Sequence, residues 1–133
     1  MHSIKLKTNK GLNNYLCTND KGQSINLGND GNAVGPMESV LMAIASCSTI
    51  DIVMILEKMK QQLDDIEVTV DGVRATEIPK VYTDIKVHYK LYGTIKEKKA
   101  EQAVKSSIEK YCSVALMIEK TAKITATFEV VES

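Results

Sequence analysis

The feature that most constrains the fold is a long apolar run at residues 40–56. Only four polar side chains interrupt it, namely Ser46, Ser48, Thr49 and Asp51. The run is too short and too interrupted for a membrane span, with a carboxylate near its middle, so we expect no membrane association. Pro36 suits the first position of a helix, and Glu38 suits its first turn, where a carboxylate meets the positive end of the helix dipole. The run is therefore predicted to be one long helix.

A helix that is apolar nearly all round must be buried on most of its faces. The chain has 133 residues, which suits one domain, but a domain of this size rarely surrounds one helix completely. We therefore expect a homodimer in which a second copy covers the remaining face. This expectation rests on hydrophobicity alone.

The segments on either side of this helix are predicted to form strands and shorter helices. Short strands are expected at residues 3–8, 12–18 and 23–27, followed by a glycine-rich loop at 28–36. Apolar side chains alternate at 66–70, 81–91 and 124–130, which is typical of half-buried strands. Between the last two, Thr94 and Glu97 have the spacing of a capping box before a helix, and a second helical piece starts at Cys112. This order predicts a single α+β domain over residues 1–133.

Composition excludes several classes of function. Seventeen basic and 17 acidic residues give no net charge, and aromatic residues are scarce, so nucleic acid is not an expected partner. No signal segment is evident, and we expect a cytoplasmic protein. The three cysteines have no zinc-binding spacing, so neither a metal nor a cofactor is expected. Cytoplasmic thiols stay reduced unless their chemistry is redox.

The cysteines are therefore the main candidates for chemistry, although most free cysteines act as small apolar side chains. Cys47 lies in the middle of the apolar helix, and Asp51 lies one turn further on the same face. A carboxylate nearby would raise the pKa of a thiol. Cys112 starts a helical segment, whose N-terminus would lower a thiol pKa. Cys17, on a short polar strand, is interpreted as structural or incidental.

Three motifs resemble those of the OsmC/Ohr family, the osmotically inducible and organic hydroperoxide resistance proteins. The sequence GPMESVLMAIASCSTID, at residues 35–51, is similar to the family's central-helix motif. Residues 73–74 and 78–85 resemble the strand pair that follows this helix in the OsmC-like branch. Tyr111, Cys112, Ser113 and Val114 resemble its second cysteine motif.

The resemblance implies an intertwined α+β homodimer, with antiparallel sheets around a long buried central helix and active sites at the subunit interface. It implies a thiol peroxidase without metal or haem that reduces organic hydroperoxides, including those of fatty acids. Cys47 would attack the peroxide and become a sulfenic acid, which would condense with Cys112 to a disulfide. A dithiol such as a lipoylated protein would then reduce the disulfide.

Two residues depart from the pattern of the family's peroxidases, which carry a thiolate-stabilising arginine in the N-terminal strand region. The only arginine here, Arg74, follows the long helix. Met37 stands where the Ohr branch has a carboxylate, and Glu38 matches the OsmC-like branch instead. Arg74, Glu38 and Asp51 are thus candidate supporting residues. Two other functions stay open, a non-enzymatic dimer that binds an apolar small molecule and a purely structural pair of thiols.

Overall fold

Three short strands at the start of the chain pair into an antiparallel sheet in the computed structural model, which describes residues 1–133. They are β1 (Ile4–Thr8), β2 (Asn14–Asn19) and β3 (Ser24–Gly28), with β2 in the centre. Gly11 and Gly22 have positive φ angles in the turns that join them, as such turns require. This sheet belongs to the first of two compact units, Met1–Val40, and the rest of the chain forms the second, Leu41–Ser133.

The long helix α1 (Pro36–Lys58) begins and ends on identifiable signals. Pro36 occupies its first position, and the Glu38 carboxylate accepts a 2.9 Å hydrogen bond from the Gly35 N–H. At the other end Lys60 is left-handed, with φ of 58°. The N–H groups of Lys60 and Gln61 donate to the carbonyls of Glu57 and Leu56, which is a Schellman motif. The helix start is where the sequence predicts it.

The two sides of α1 differ in burial within one chain. Every fourth residue along one stripe is fully buried, namely Ile44, Ser48, Ile52 and Leu56. The other side exposes Met42, Ile50, Val53 and Met54. The single chain thus covers one stripe of a helix that is apolar on most of its surface. By length and composition α1 would also pass as a membrane span, a test that the core helices of soluble proteins pass as well.

The second unit contains a three-stranded sheet in the order β4 (Gln62–Arg74), β5 (Tyr82–Thr94), β6 (Lys123–Val131). The central strand β5 buries one face, with Ile85, Val87, Tyr89 and Leu91 almost completely inaccessible. Strand β4 pairs with it antiparallel, but β6 runs parallel to it. The first sheet is antiparallel as expected, whereas this sheet is mixed, because a helical crossover returns the chain in the direction of β5.

The crossover consists of α2 (Glu97–Ser106), a π-helical turn (Ser107–Tyr111) and α3 (Ser113–Ile118). The predicted capping box is absent. Thr94 is the last residue of β5, paired with Gln62 of β4. Helix α2 starts at Glu97 after Lys96, without a side-chain cap. Because Thr94 pairs within the sheet, it does not occupy the N-cap position of α2. The second helical piece begins next to Cys112, as expected.

We predict that Gly72→Ala destabilises the second unit. A Cβ at Gly72 would lie 2.6 and 2.8 Å from two ring carbons of Tyr82 and 3.2 Å from Leu41 Cδ2. Overpacking of this kind costs about 1–3 kcal/mol, measurable by urea unfolding. The neighbouring exposed change Asp71→Ala should stay within about 0.5 kcal/mol of the parent. Equal stability of the two variants would contradict this packing.

Candidate functional site

Cys47, Asp51 and Cys112 come together in the second unit. The two sulfur atoms and a carboxylate oxygen of Asp51 all lie within 4.8 Å of one another. Cys47 and Asp51 are one turn apart on α1, and Cys112 precedes α3. None of the three cysteines forms a disulfide. The fold therefore brings two free thiols and one carboxyl group into a single cluster.

The two thiols differ in their access to solvent. Cys112 is completely buried, whereas Cys47 is only partly covered. At 100° per residue, Cys47 lies about 60° from Ile44, on the buried stripe of α1, and about 60° from Ile50, on the exposed side. The Cys47 sulfur thus stands at the border between the core and the exposed apolar face. In the single chain, Cys47 is therefore the more accessible of the two thiols.

Burial controls the chemistry of Cys112. Burial raises the pKa of its thiol to about 11, the hydrogen bond from the Ala115 N–H lowers it, and Cys47 raises it. The Ala115 N–H donates to Cys112 Sγ over 3.4 Å. The helix N-terminus does lower this pKa through the Ala115 N–H, but desolvation outweighs that contribution and the pKa rises overall. Cys112 is therefore a neutral thiol at neutral pH.

The Asp51 carboxyl group is only partly satisfied. Its Oδ2 atom is buried and has no hydrogen-bond partner in the chain. Burial also raises the pKa of this carboxyl above its ordinary value. A buried carboxylate oxygen without a partner is costly, so the arrangement favours a proton or another positive group beside Asp51.

A buried network of hydroxyl groups holds the two cysteine-bearing segments together. The Tyr89 hydroxyl donates to Ser48 Oγ over 2.5 Å, and Ser107 Oγ donates to the Ser48 carbonyl over 2.8 Å. The Ser107 carbonyl in turn accepts the Cys112 N–H over 2.7 Å, which closes the π-helical turn. Burial raises the pKa of Tyr89 to about 12, so the phenol stays a donor.

The sequence did not single out Tyr89, Ser48 or Ser107. Tyr89 fits the apolar alternation of β5, and Ser48 appears only as a polar break in α1. The sequence offered one general indication of this network, because a tyrosine on the core side of a strand needs a hydrogen-bond partner for its hydroxyl. Serines inside an apolar helix are suitable partners, but the sequence does not predict which serine binds Tyr89.

The other predicted residues are engaged elsewhere. Arg74 is exposed at the end of β4, where its Nε donates to the Lys80 carbonyl over 2.8 Å. Glu38 binds the backbone at the start of α1. Cys17 lies half-buried in β2, paired with Leu6 and Ile25. Of the candidate supporting residues, the structure joins only Asp51 to the cysteine pair.

Comparison with known proteins agrees with this fold. The sequence profile described as OsmC-like protein matches residues 28–127, so the chain belongs to the OsmC-like family. It is 47% identical over 106 residues to Protein YhfA of Escherichia coli K12, covering 78% of this chain and 79% of that protein. A hypothetical protein from Aquifex aeolicus is 34% identical, with a TM-score of 0.91, covering 100% of this chain and 98% of that one.

A more distant solved structure shares the fold alone. It is described as an organic hydroperoxide resistance protein OsmC from Legionella pneumophila. Its TM-score is 0.74 at 19% identity, over 96% of this chain and 97% of that one. The α+β fold expected from the resemblance is thereby confirmed.

We predict that Tyr89→Phe destabilises the protein by about 0.5–1.5 kcal/mol, the net contribution of one hydrogen bond, because Ser48 loses its donor while the ring stays packed. Urea unfolding measures this. Tyr92→Phe is the matched control on the same strand, where the ring is partly exposed, and should change stability by less than about 0.5 kcal/mol. If the two variants are equally stable, the buried bond contributes nothing.

Proposed function

We propose that the protein is a thiol peroxidase for organic hydroperoxides, with Cys47 as the attacking thiol and Cys112 as the resolving thiol. The observation that carries this proposal is the pairing of a partly exposed sulfur with a fully buried one, within 4.8 Å. Membership of the OsmC-like family supports it.

The reaction runs in three balanced steps. The Cys47 thiolate attacks the outer peroxide oxygen and breaks the O–O bond, leaving Cys47 sulfenic acid and, with one proton, an alcohol. The Cys112 thiol then attacks the Cys47 sulfur, releasing water and forming the disulfide. A dithiol of the lipoyl type returns both cysteines to thiols and is itself oxidised to a disulfide. A cytoplasmic location would supply such reductants.

The placement of the two sulfurs suits this order of events. Cys47 meets the substrate first because it is the accessible thiol. Cys112 is held behind it by Ser107 and Ala115, and a short movement brings the sulfurs to the roughly 2.05 Å of a disulfide. Glu38 and Arg74 support the fold rather than the sulfurs, since their contacts lie at the start of α1 and the end of β4.

The substrate class follows from the surface beside Cys47. On α1, Ile50 and Met54 are the exposed apolar side chains on the side of Cys47, and they favour an organic or fatty-acid hydroperoxide over hydrogen peroxide. We further propose that a second copy of the chain covers much of the exposed side of α1, making a homodimer with the site at its interface.

We expect the reduced protein to lose two hydrogens when treated with cumene hydroperoxide, with the new disulfide mapping to Cys47 and Cys112 by mass spectrometry. Turnover with a lipoyl-type dithiol should fall at least about 100-fold in Cys47→Ser, since the nucleophile is gone. Cys112→Ser should still form a sulfenic acid, trapped by dimedone, without a disulfide.

Cys17→Ser is the control for these measurements, because Cys17 lies in the other sheet, and it should behave as the parent. Organic peroxide that leaves Cys47 and Cys112 as thiols, while a general alkylating reagent still labels Cys47, would contradict the peroxidase assignment.

The homodimer has its own test. Ile50 is 61% exposed in one chain, so Ile50→Lys leaves the chain's own core intact but places a charge in the proposed interface. We expect the parent to elute as a dimer in size exclusion with light scattering, and Ile50→Lys as a monomer. Ile78→Lys is the control, because Ile78 is 89% exposed between β4 and β5. A monomeric parent, or a dimeric Ile50→Lys, contradicts the interface.

A second candidate function is a non-enzymatic dimer that binds an apolar small molecule. It is favoured by the engagement of Arg74 with Lys80, which leaves the cysteine cluster without that cation. This function predicts a bound ligand in native mass spectra and unchanged binding in Cys47→Ser. Peroxide turnover that depends on Cys47 decides against it.

A further inference from the structure

The cysteine cluster combines three donor groups that also suit a metal ion. Cys47 and Asp51 present theirs from adjacent turns of one helix, and Cys112 presents its sulfur from a different segment. The buried Asp51 Oδ2 has no partner within the chain. The sequence does not predict these three residues as a metal site, because Cys112 lies 61 residues after Asp51 and no short ligand motif joins them.

We propose that the reduced protein binds one zinc ion through Cys47, Asp51 and Cys112. Zinc binding does not require peroxidase activity, but it uses the same two sulfurs as the proposed reaction. Two thiolates favour zinc over magnesium or calcium, which prefer oxygen donors. Three protein ligands leave a fourth, open position on a tetrahedral ion, as in catalytic zinc sites.

The distances are close to those that zinc needs. With zinc–sulfur bonds of about 2.3 Å, the two sulfurs of a tetrahedral site lie about 3.8 Å apart. The three donor atoms already lie within 4.8 Å of one another, so bringing the two sulfurs to this separation takes at most about 1 Å of movement. Binding replaces the two thiol protons, which pass to solvent, and gives the Asp51 carboxylate a positive partner.

The surroundings of the donors would help to orient them. Cys112 is fixed through its backbone N–H to Ser107 and through its sulfur to the Ala115 N–H. Ser107 is bound to Ser48, the residue next to Cys47. Hydrogen bonds around metal ligands commonly set their orientation and affect affinity by roughly 10–100-fold.

Zinc binding and the disulfide exclude each other, because both use the same two sulfurs. Diamide takes two hydrogens from a thiol pair and is itself reduced to the hydrazine, leaving a disulfide. It tests this exclusion without hydroperoxide. Failure of the peroxidase assignment and failure of the zinc site are therefore distinguishable.

The experiment titrates Zn²⁺ into reduced, desalted protein against a chromogenic zinc indicator, with Cd²⁺ as a second probe read by its thiolate charge-transfer absorption. We expect one equivalent per chain. Cys47→Ser should remove the absorption of one thiolate, and Asp51→Asn should weaken Zn²⁺ binding by more than about 10-fold. Diamide-treated protein should bind none.

Two controls separate the site from adventitious binding. Cys17→Ser keeps the cluster but removes the remaining thiol, and Asp84→Asn removes an exposed carboxylate on β5. Both should bind as the parent does. Asp51→Asn retains the size of the side chain, and circular dichroism checks that it is folded. Absence of one-equivalent binding, equal affinity in Asp51→Asn, or binding after diamide would each overturn the proposal.

Discussion

The buried contact between Tyr89 and Ser48 is the interaction on which the arrangement of the second unit depends. It joins the central strand β5 to the long helix α1 at the residue next to Cys47. The same serine accepts the Ser107 hydroxyl through its carbonyl, and the Ser107 carbonyl holds the Cys112 N–H. One chain of polar contacts, enclosed in an apolar core, thus connects the neighbours of both cysteines. In such surroundings an unmade hydrogen bond is costly, so the network favours one relative placement of the two thiols.

Local signals predicted much of this structure. The start of α1 could be predicted because proline and a first-turn carboxylate act through the adjacent backbone. The buried face of β5 was readable because side chains alternate across a strand. The shared face of Cys47 and Asp51 was readable because helical geometry places residues four apart together. Each of these inferences needs only a few consecutive residues.

What the sequence did not predict depends on contacts between distant segments. Thr94 matches a capping box, but pairing with Gln62 of β4 draws it into the sheet. Cys112 starts a helix, but its burial under the rest of the unit outweighs the nearby N–H groups. The parallel direction of β6 follows from how the crossover packs. The pairing of Cys47 with Cys112 came from family resemblance, and only the structure places the carboxyl of Asp51 beside both sulfurs.

The π-helical turn before Cys112 restricts how this chain can vary in length. The turn is closed by a bond spanning five residues, from the Cys112 N–H to the Ser107 carbonyl. Deleting one residue between them would restore ordinary α-helical winding and rotate the following backbone by about 100°. The Cys112 side chain would then leave the α1 side of the unit. Substitutions on the outer surface of this turn preserve its winding, whereas an insertion or deletion within it does not.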